Sequence, residues 1–155
     1  MTRGVPQGSG LGRFLFNLFV AHLPRLAAEH AATLLLFADD KTLYSSHRSL
    51  ACAAASASCA IGAIADSLEK KGLSLNQTKT VSMFIQPPRG AEDAVPVMVN
   101  STPLQVMSTV RFLGVMIDDK LTWQSHIAFI AAKVGRKIGV LRRVRRQLFQ
   151  HMIDR

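Results

Sequence analysis

Two carboxylates stand side by side in the stretch LLLFADDKTLYSS, at Asp39 and Asp40, in a chain with only ten acidic residues. Adjacent carboxylates repel, and burying them unpartnered is costly. An exposed Asp-Asp turn is one answer. A divalent cation is another, because Mg²⁺ takes oxygen ligands, often one or two carboxylates completed by phosphate and water. Two such ions about 4 Å apart can activate one oxygen and stabilise another in nucleotidyl transfer. Lys79 is a second residue of interest, a cation that taken alone reads as a surface lysine. Arg and Lys near the C-terminus form a third group. Residues 133–155 hold Lys133, Arg136, Lys137, Arg142, Arg143, Arg145, Arg146 and Arg155 against the single acid Asp154. The tail therefore carries +7 of the chain's formal +9, which points to a polyanionic partner.

The elements that would position these groups are readable from spacing. Thr33 to Phe37 is a short apolar run and Lys41 to Ser45 alternates loosely, so the two read as a β-hairpin turning at Ala38-Asp39-Asp40. Upstream, GVPQGSG is a tight loop from Gly4 to Gly10, with Ser9 as a helix N-cap. Leu11, Phe14, Leu15, Leu18, Phe19 and Leu23 then follow at helical steps, with Pro24 near the helix end. Ser49 to Lys71 is alanine-rich and predicts a second helix stopped by Gly72. Thr80 to Ile85, Val95 to Asn100, Leu104 to Met107 and Val110 to Asp118 read as strands, with a surface loop over Gln86 to Ala94. Ile127, Ile130, Val134, Ile138, Leu141, Val144 and Leu148 form a stripe on a long last helix. The order predicts an α+β fold, an antiparallel sheet with helices on one face and a helical extension.

Composition narrows the class. The 155 residues are 48% hydrophobic, which suits a packed domain. No apolar run reaches the roughly 18 residues of a membrane span, and MTRGVPQGSG lacks the core of a secretory signal. The expectation is an intracellular protein, nuclear or cytoplasmic, with no membrane. Cys52 and Cys59 are about two helical turns apart, roughly 10 Å, too far for a disulfide. They read as small buried residues. No Cys/His spacing predicts zinc.

Four blocks in order carry a resemblance: GVPQGSGLGRFLF, FADD with TLY following, GLSLNQTKT and RFLGVMID, the last continuing into LTW and HI. Together they resemble the reverse transcriptases of non-LTR (LINE-type) retrotransposons over nearly the whole chain. The resemblance implies a partial polymerase palm over 1–118, an antiparallel sheet with two helices on one face, and the start of a basic helical thumb over 119–155. It implies an RNA-directed DNA polymerase using Mg²⁺ or Mn²⁺, an RNA template, a DNA primer and deoxynucleoside triphosphates. Asp39 and Asp40 match the metal ligands, with Asp39 the more direct. Phe37 and Ala38 complete that motif. Gln7 and Gly8 match the loop against template and nucleotide, and Lys79 a lysine that assists the departing pyrophosphate. Phe112, Leu113 and Gly114 match the primer-gripping hairpin, and the basic helix with Trp123 and His126 matches the thumb that holds the duplex. By their own residue types, Trp123 reads as packing and His126 as a hydrogen bonder at the helix start.

Gly10 and Arg13 depart from the family pattern, which has a larger residue and a proline there. The family's third catalytic carboxylate and its fingers lie upstream of the GVPQG block, which here opens at Gly4. Asp66, Asp118 and Asp119 are not placed to replace that carboxylate. The expectation is therefore a fragment missing the N-terminal fingers and palm portion, impaired in catalysis on its own and prone to aggregate, with nucleic-acid binding through the basic helix as the alternative activity.

Overall fold

The computed structural model describes residues 10–85 and 95–153, the side chains of 146–153 excepted. Gln7, Gly8, Ser9 and nearly all of the predicted surface loop lie outside the described residues. The chain divides into two compact units: residues 10–82 with 95–106, and residues 83–85 with 107–153.

The first unit begins with two helices where the spacing predicts one, α1 (Gly10–Val20) and α2 (Leu23–Ala28). Pro24 sits in the first turn of α2, so it starts a helix instead of ending one. Proline lacks the N–H that a helix interior needs and clashes with the preceding turn, but the first turn tolerates both. The spacing read on α1 is present, yet its apolar face stands open: Leu11, Phe14, Leu15 and Leu18 are all exposed. α1 reaches the core only through Phe16 and Val20, near its C-terminal end.

The core gathers Val20, Leu23, Ala27, Leu34, Ile64 and Leu68, with Phe16, Leu26, Leu36 and Leu43 packed against them. Ile64 and Leu68 come from α3 (Leu50–Lys70), which begins after Ser49. It ends at Gly72 as predicted. Gly72 has φ +76, and its N–H and that of Leu73 return to the carbonyls of Glu69 (2.8 Å) and Leu68 (2.9 Å), closing the helix with a left-handed cap. Length and composition would also allow α3 to cross a membrane. Its buried stripe of Ala54, Ile61, Ile64 and Leu68 instead packs it into this unit. Cys52 and Cys59 lie off that stripe and are exposed, contrary to the buried placement expected of them. They are seven residues apart and so share a face, but it is the face turned away from the core. Lys71 ties the helices together: Nζ donates to the Phe19 carbonyl (3.0 Å) and to His22 Nδ1 (3.1 Å), and lies 4.8 Å from the centre of the Phe19 ring. His22 Nε2 in turn is 2.8 Å from Ser67 Oγ.

The mixed α+β content is as expected, but the described strands do not form one antiparallel sheet with two helices on a face. They form four two-stranded ribbons, one of them parallel. β1 (Thr33–Phe37) pairs antiparallel with β2 (Asp40–Tyr44). β3 shrinks to Val81–Ser82 and pairs parallel with β6 (Gln105–Val106). β4 (Met98–Val99) pairs with β5 (Thr102–Pro103) around Asn100 and Ser101, both at positive φ. Strands two residues long expose too few backbone groups to recruit a third neighbour.

In the second unit, the single strand expected over Val110 to Asp118 is a hairpin of β7 (Thr109–Phe112) and β8 (Val115–Asp118). Leu113 at φ +46 and Gly114 at φ +90 form the two-residue turn, with the signs of a type I′ hairpin. α4 (Gln124–Ile153) is the predicted basic helix, begun three residues earlier than its apolar stripe. Every described side chain from Ile130 to Arg145 is exposed, the stripe included.

Candidate functional site

The Asp-Asp motif is built by the β1–β2 register. Phe37 pairs with Asp40, leaving Ala38 and Asp39 as the two turn residues. Asp40 is thus the first residue of β2, whereas the sequence pattern places it in the turn. Ala38 has φ +53, the left-handed region that favours glycine, and Asp39 keeps a negative φ. A side chain there costs about 1–2 kcal/mol. The strain is local to the motif.

Alternation along the strands sorts the hairpin into two faces. Leu34, Leu36 and Leu43 face the core. Lys41 lies on that side too, its Nζ 5.5 Å from the centre of the Phe16 ring and 3.4 Å from the Asp39 carbonyl, to which it donates. The other face carries Leu35, Phe37, Asp40 and Tyr44, all exposed. Asp39 and Asp40 are exposed as well, and among the described residues neither carboxylate is engaged by a cationic side chain or a backbone N–H. Two free, adjacent, acceptor-only groups are the donor set that a hard divalent cation takes. The described residues hold no cluster of three acidic, His or Cys side chains that would complete such a site by themselves.

Phe37, Ala38, Asp39 and Asp40 therefore share one hairpin tip. Lys79 stands on a separate turn after α3. Asn76 organises that turn: its Oδ1 accepts from Lys79 N (3.2 Å) and Thr78 Oγ1 (2.7 Å), and its carbonyl accepts from Thr80 Oγ1 (2.8 Å). The backbone is pinned while the Lys79 side chain is exposed.

Phe112, Leu113 and Gly114 occupy the tip of the second hairpin, in the other unit. Phe112 pairs with Val115 and is half-buried, whereas Leu113 is exposed. A Cβ on Gly114 would meet nothing within 4 Å, so backbone conformation alone asks for glycine there. Lys133, Arg136, Lys137, Arg142, Arg143 and Arg145 all lie on exposed stretches of α4, a helix with no acid along its length. The side chain of Arg146 is outside the described residues.

His126 is a hydrogen bonder at the start of α4, its Nδ1 accepting from Met116 N on β8 (3.3 Å). Trp123, expected to pack, is half-exposed at φ +64. The residue missed from sequence is Asp118. It is 8% exposed, and its carboxylate accepts from Thr122 N (2.9 Å), Thr122 Oγ1 (3.2 Å) and Trp123 N (2.9 Å). The Thr122 backbone bond does most to hold its pKa below the usual 3.8, reinforced by Trp123, the Thr122 hydroxyl and Lys120 against an opposing effect of burial. An aspartate shortly before Thr-Trp and a helix is a capping signal that could have revealed it.

A family model described as reverse transcriptase (RNA-dependent DNA polymerase) matches residues 1–117. The chain is 27% identical over 147 residues to the probable RNA-directed DNA polymerase from transposon BS of Drosophila melanogaster, covering 92% of this chain and 16% of that protein. It is 22% identical over 147 residues to the retrovirus-related Pol polyprotein from type-1 retrotransposable element R1 of Bradysia coprophila, covering 95% and 15%. It is 27% identical over 129 residues to the RNA-directed DNA polymerase from mobile element jockey of Drosophila funebris, covering 80% and 14%. No solved structure matches the chain. The chain spans about a sixth of the length of these curated relatives. With the family match running through both hairpins and most of the sequence, the chain belongs to the reverse transcriptase (RNA-dependent DNA polymerase) family.

Proposed function

We propose that this chain supplies the metal-binding hairpin, the primer-gripping hairpin and the first thumb helix of an RNA-directed DNA polymerase of the non-LTR retrotransposon type. Its substrates are an RNA template, a DNA primer and deoxynucleoside triphosphates. The observation that carries the reading is the first hairpin tip: Asp39 and Asp40 are adjacent, exposed and, among the described residues, unengaged, on a turn strained at Ala38.

Asp39 and Asp40 would hold Mg²⁺ or Mn²⁺, which when bound activates the attacking oxygen and stabilises the leaving one. The chain's own residues do the rest. The stiff β1–β2 pairing orients both carboxylates. Phe37, across from Asp40 on the open face, offers an apolar surface to a base or sugar. Lys79 offers a charged, exposed ammonium to neutralise or protonate departing pyrophosphate. Gln7 and Gly8, by the family resemblance alone, would serve template and nucleotide. Leu113 and Gly114 hold the primer strand, and the α4 cations meet the phosphates of the duplex. In this reading a third carboxylate and the fingers belong to other parts of the same polymerase.

The test is Mn²⁺ binding to the chain, followed by water-proton relaxation. Wild type is expected to bind weakly and saturably. Asp39→Asn should weaken binding more than Asp40→Asn, and the double variant should abolish it. Retention of full binding in the double variant would overturn the assignment.

A second reading is a non-catalytic nucleic-acid-binding element. It is favoured by α4 itself, acid-free over thirty residues and exposed wherever its side chains are described beyond Phe129. It predicts duplex binding that survives loss of both aspartates.

A further inference from the structure

The joint between β8 and α4 is only the segment 119–123, yet two of its bulky residues, Leu121 at φ +54 and Trp123 at φ +64, adopt the left-handed region. Such residues stay there only when the surroundings over-determine them. Asp118 contacts both: its backbone carbonyl accepts from Leu121 N (2.9 Å) and its carboxylate from Trp123 N (2.9 Å). It is the one buried polar or charged side chain among the described residues, and three donors from Thr122 and Trp123 converge on its two oxygens. Those donors already engage both oxygens, whereas the Asp39 and Asp40 carboxylates accept from none of the described residues.

Two further contacts brace the same joint from either side. Met116 N donates to His126 Nδ1 at 3.3 Å, linking β8 to the first turn of the helix. The Arg111 guanidinium lies 5.8 Å from the centre of the Phe129 ring, linking β7 to the second. Beyond Phe129 no described side chain of α4 is buried. The described contacts between the β7–β8 hairpin and α4 thus gather at the base of the helix, and the two behave as one bent lever. The Leu113–Gly114 tip is one arm and the row of cations the other.

We propose that Asp118 is a positioning residue: by clasping the Thr122–Trp123 backbone it fixes the angle between the Leu113–Gly114 tip and the basic helix, so that a duplex gripped by its phosphates on α4 presents its primer strand to the tip in one register. The idea rests on the nucleic-acid reading of α4. A residue acting this way changes where a primer end sits without changing how tightly the duplex is held.

The experiment uses the full 155-residue chain with the exposed thiols removed by Cys52→Ala and Cys59→Ala, and spin labels at Leu113→Cys and Ala132→Cys. Asp118 intact should give one narrow tip-to-helix distance, and Asp118→Ala should broaden it about twofold or more, with Asp118→Asn between. In parallel, the unlabelled chain is bound to a primer–template duplex carrying a photo-crosslinker at the primer 3′ end. Asp118→Ala should keep duplex affinity within about twofold while crosslinking to the tip falls about tenfold. An unchanged distance distribution in Asp118→Ala would overturn the clasp. Affinity and crosslinking falling together would overturn positioning in favour of a purely structural role. If Asp118→Ala fails to fold, Thr122→Val removes one donor and must broaden the distance in the same direction. A chain that binds no duplex at all would sink the reading of α4, while the distance measurement still decides whether Asp118 sets the joint.

Discussion

Phe37 and Asp40 face one another across a two-residue turn, and the residue that follows Phe37, Ala38, is held at φ +53. The second hairpin repeats the device. Phe112 faces Val115, and the residue that follows Phe112, Leu113, is held at φ +46. Each tip thus has a phenylalanine at its base and a non-glycine residue in a conformation that glycine would adopt more easily. Strain of this kind concentrates where a backbone must keep a shape for a ligand.

Ala38→Gly should relieve the first tip. Removing the left-handed penalty outweighs the extra entropy of an unfolded glycine, for a net gain of about 0.5–1 kcal/mol. A shift of the urea midpoint to higher concentration, with Mn²⁺ binding weakened by the looser turn, is the expected pair of results. Loss of stability would mean that Ala38 is not strained.

Gly114→Ala should destabilise by about 1 kcal/mol through backbone conformation alone, because the space beside Gly114 is open. Leu113→Asn should be neutral or stabilising, since Asn-Gly is the preferred pair for such a turn. Equilibrium unfolding of both variants separates conformation from packing. A large loss in Leu113→Asn would show that its side chain, not its φ, matters.

Asp118 gives the stability a direction with pH. Its folded pKa lies below the ordinary 3.8, so its contribution is complete above that value and is lost as pH falls through the lower folded value. Melts in the acid range should therefore show stability dropping below about pH 4 in wild type. Asp118→Asn should be less stable at neutral pH and flatter in acid. A parallel pair of curves would rule out Asp118 as the source of the acid sensitivity.

Lys71→Ala should loosen α1 and α2 from α3. It deletes the bonds to the Phe19 carbonyl and His22 and the packing on the Phe19 ring, for about 1 kcal/mol in total, since Lys71 is exposed. Lys70→Ala, one residue earlier, is the matched control and should cost less. Equal midpoints for the two would refute the clasp.

Arg136, Arg142 and Arg143 replaced together by alanine should lower the slope of log affinity against log salt by up to about 2.7 for duplex DNA, roughly 0.9 for each phosphate no longer neutralised. Filter binding at several salt concentrations reads this directly. An unchanged slope would place the duplex on another surface.

The hairpin at Thr33 to Phe37, the stop at Gly72 and the long basic helix are legible because each rests on local chemistry: an apolar run before a turn, a glycine free to take positive φ, a period near 3.6. A single helix through Pro24 fails because proline signals a terminator in the pattern, when its ring fits the first turn equally well. Val110 to Asp118 reads as one strand because Leu113 does not announce a turn, although RFLG within the family motif does. Cys52 and Cys59 are misplaced because an alanine-rich helix has small residues on every face, so composition cannot say which face is buried. Asp118 is weighed only as a stand-in carboxylate because two of its three donors are backbone N–H groups, which sequence does not display, although an aspartate before Thr-Trp at a helix start does signal the cap.

The bareness of α4 has a thermodynamic consequence. A stretch from Ile130 to Arg145 without burial is close to the roughly 12–15 residues at which isolated helices are marginal in water. Lys133 lies three and four residues from Arg136 and Lys137, a spacing at which like charges oppose the helix. Free in solution, the distal end of this arm, beyond the turn that carries Ala132, is expected to exchange between helix and coil, and a polyanion that neutralises the cations also draws it toward helix. Salt then acts in two opposed ways. It screens the internal repulsion and raises the helicity of the free chain, and it competes with phosphate and lowers affinity. Circular dichroism rising with salt while binding falls would be the signature of an arm that completes its folding on its ligand.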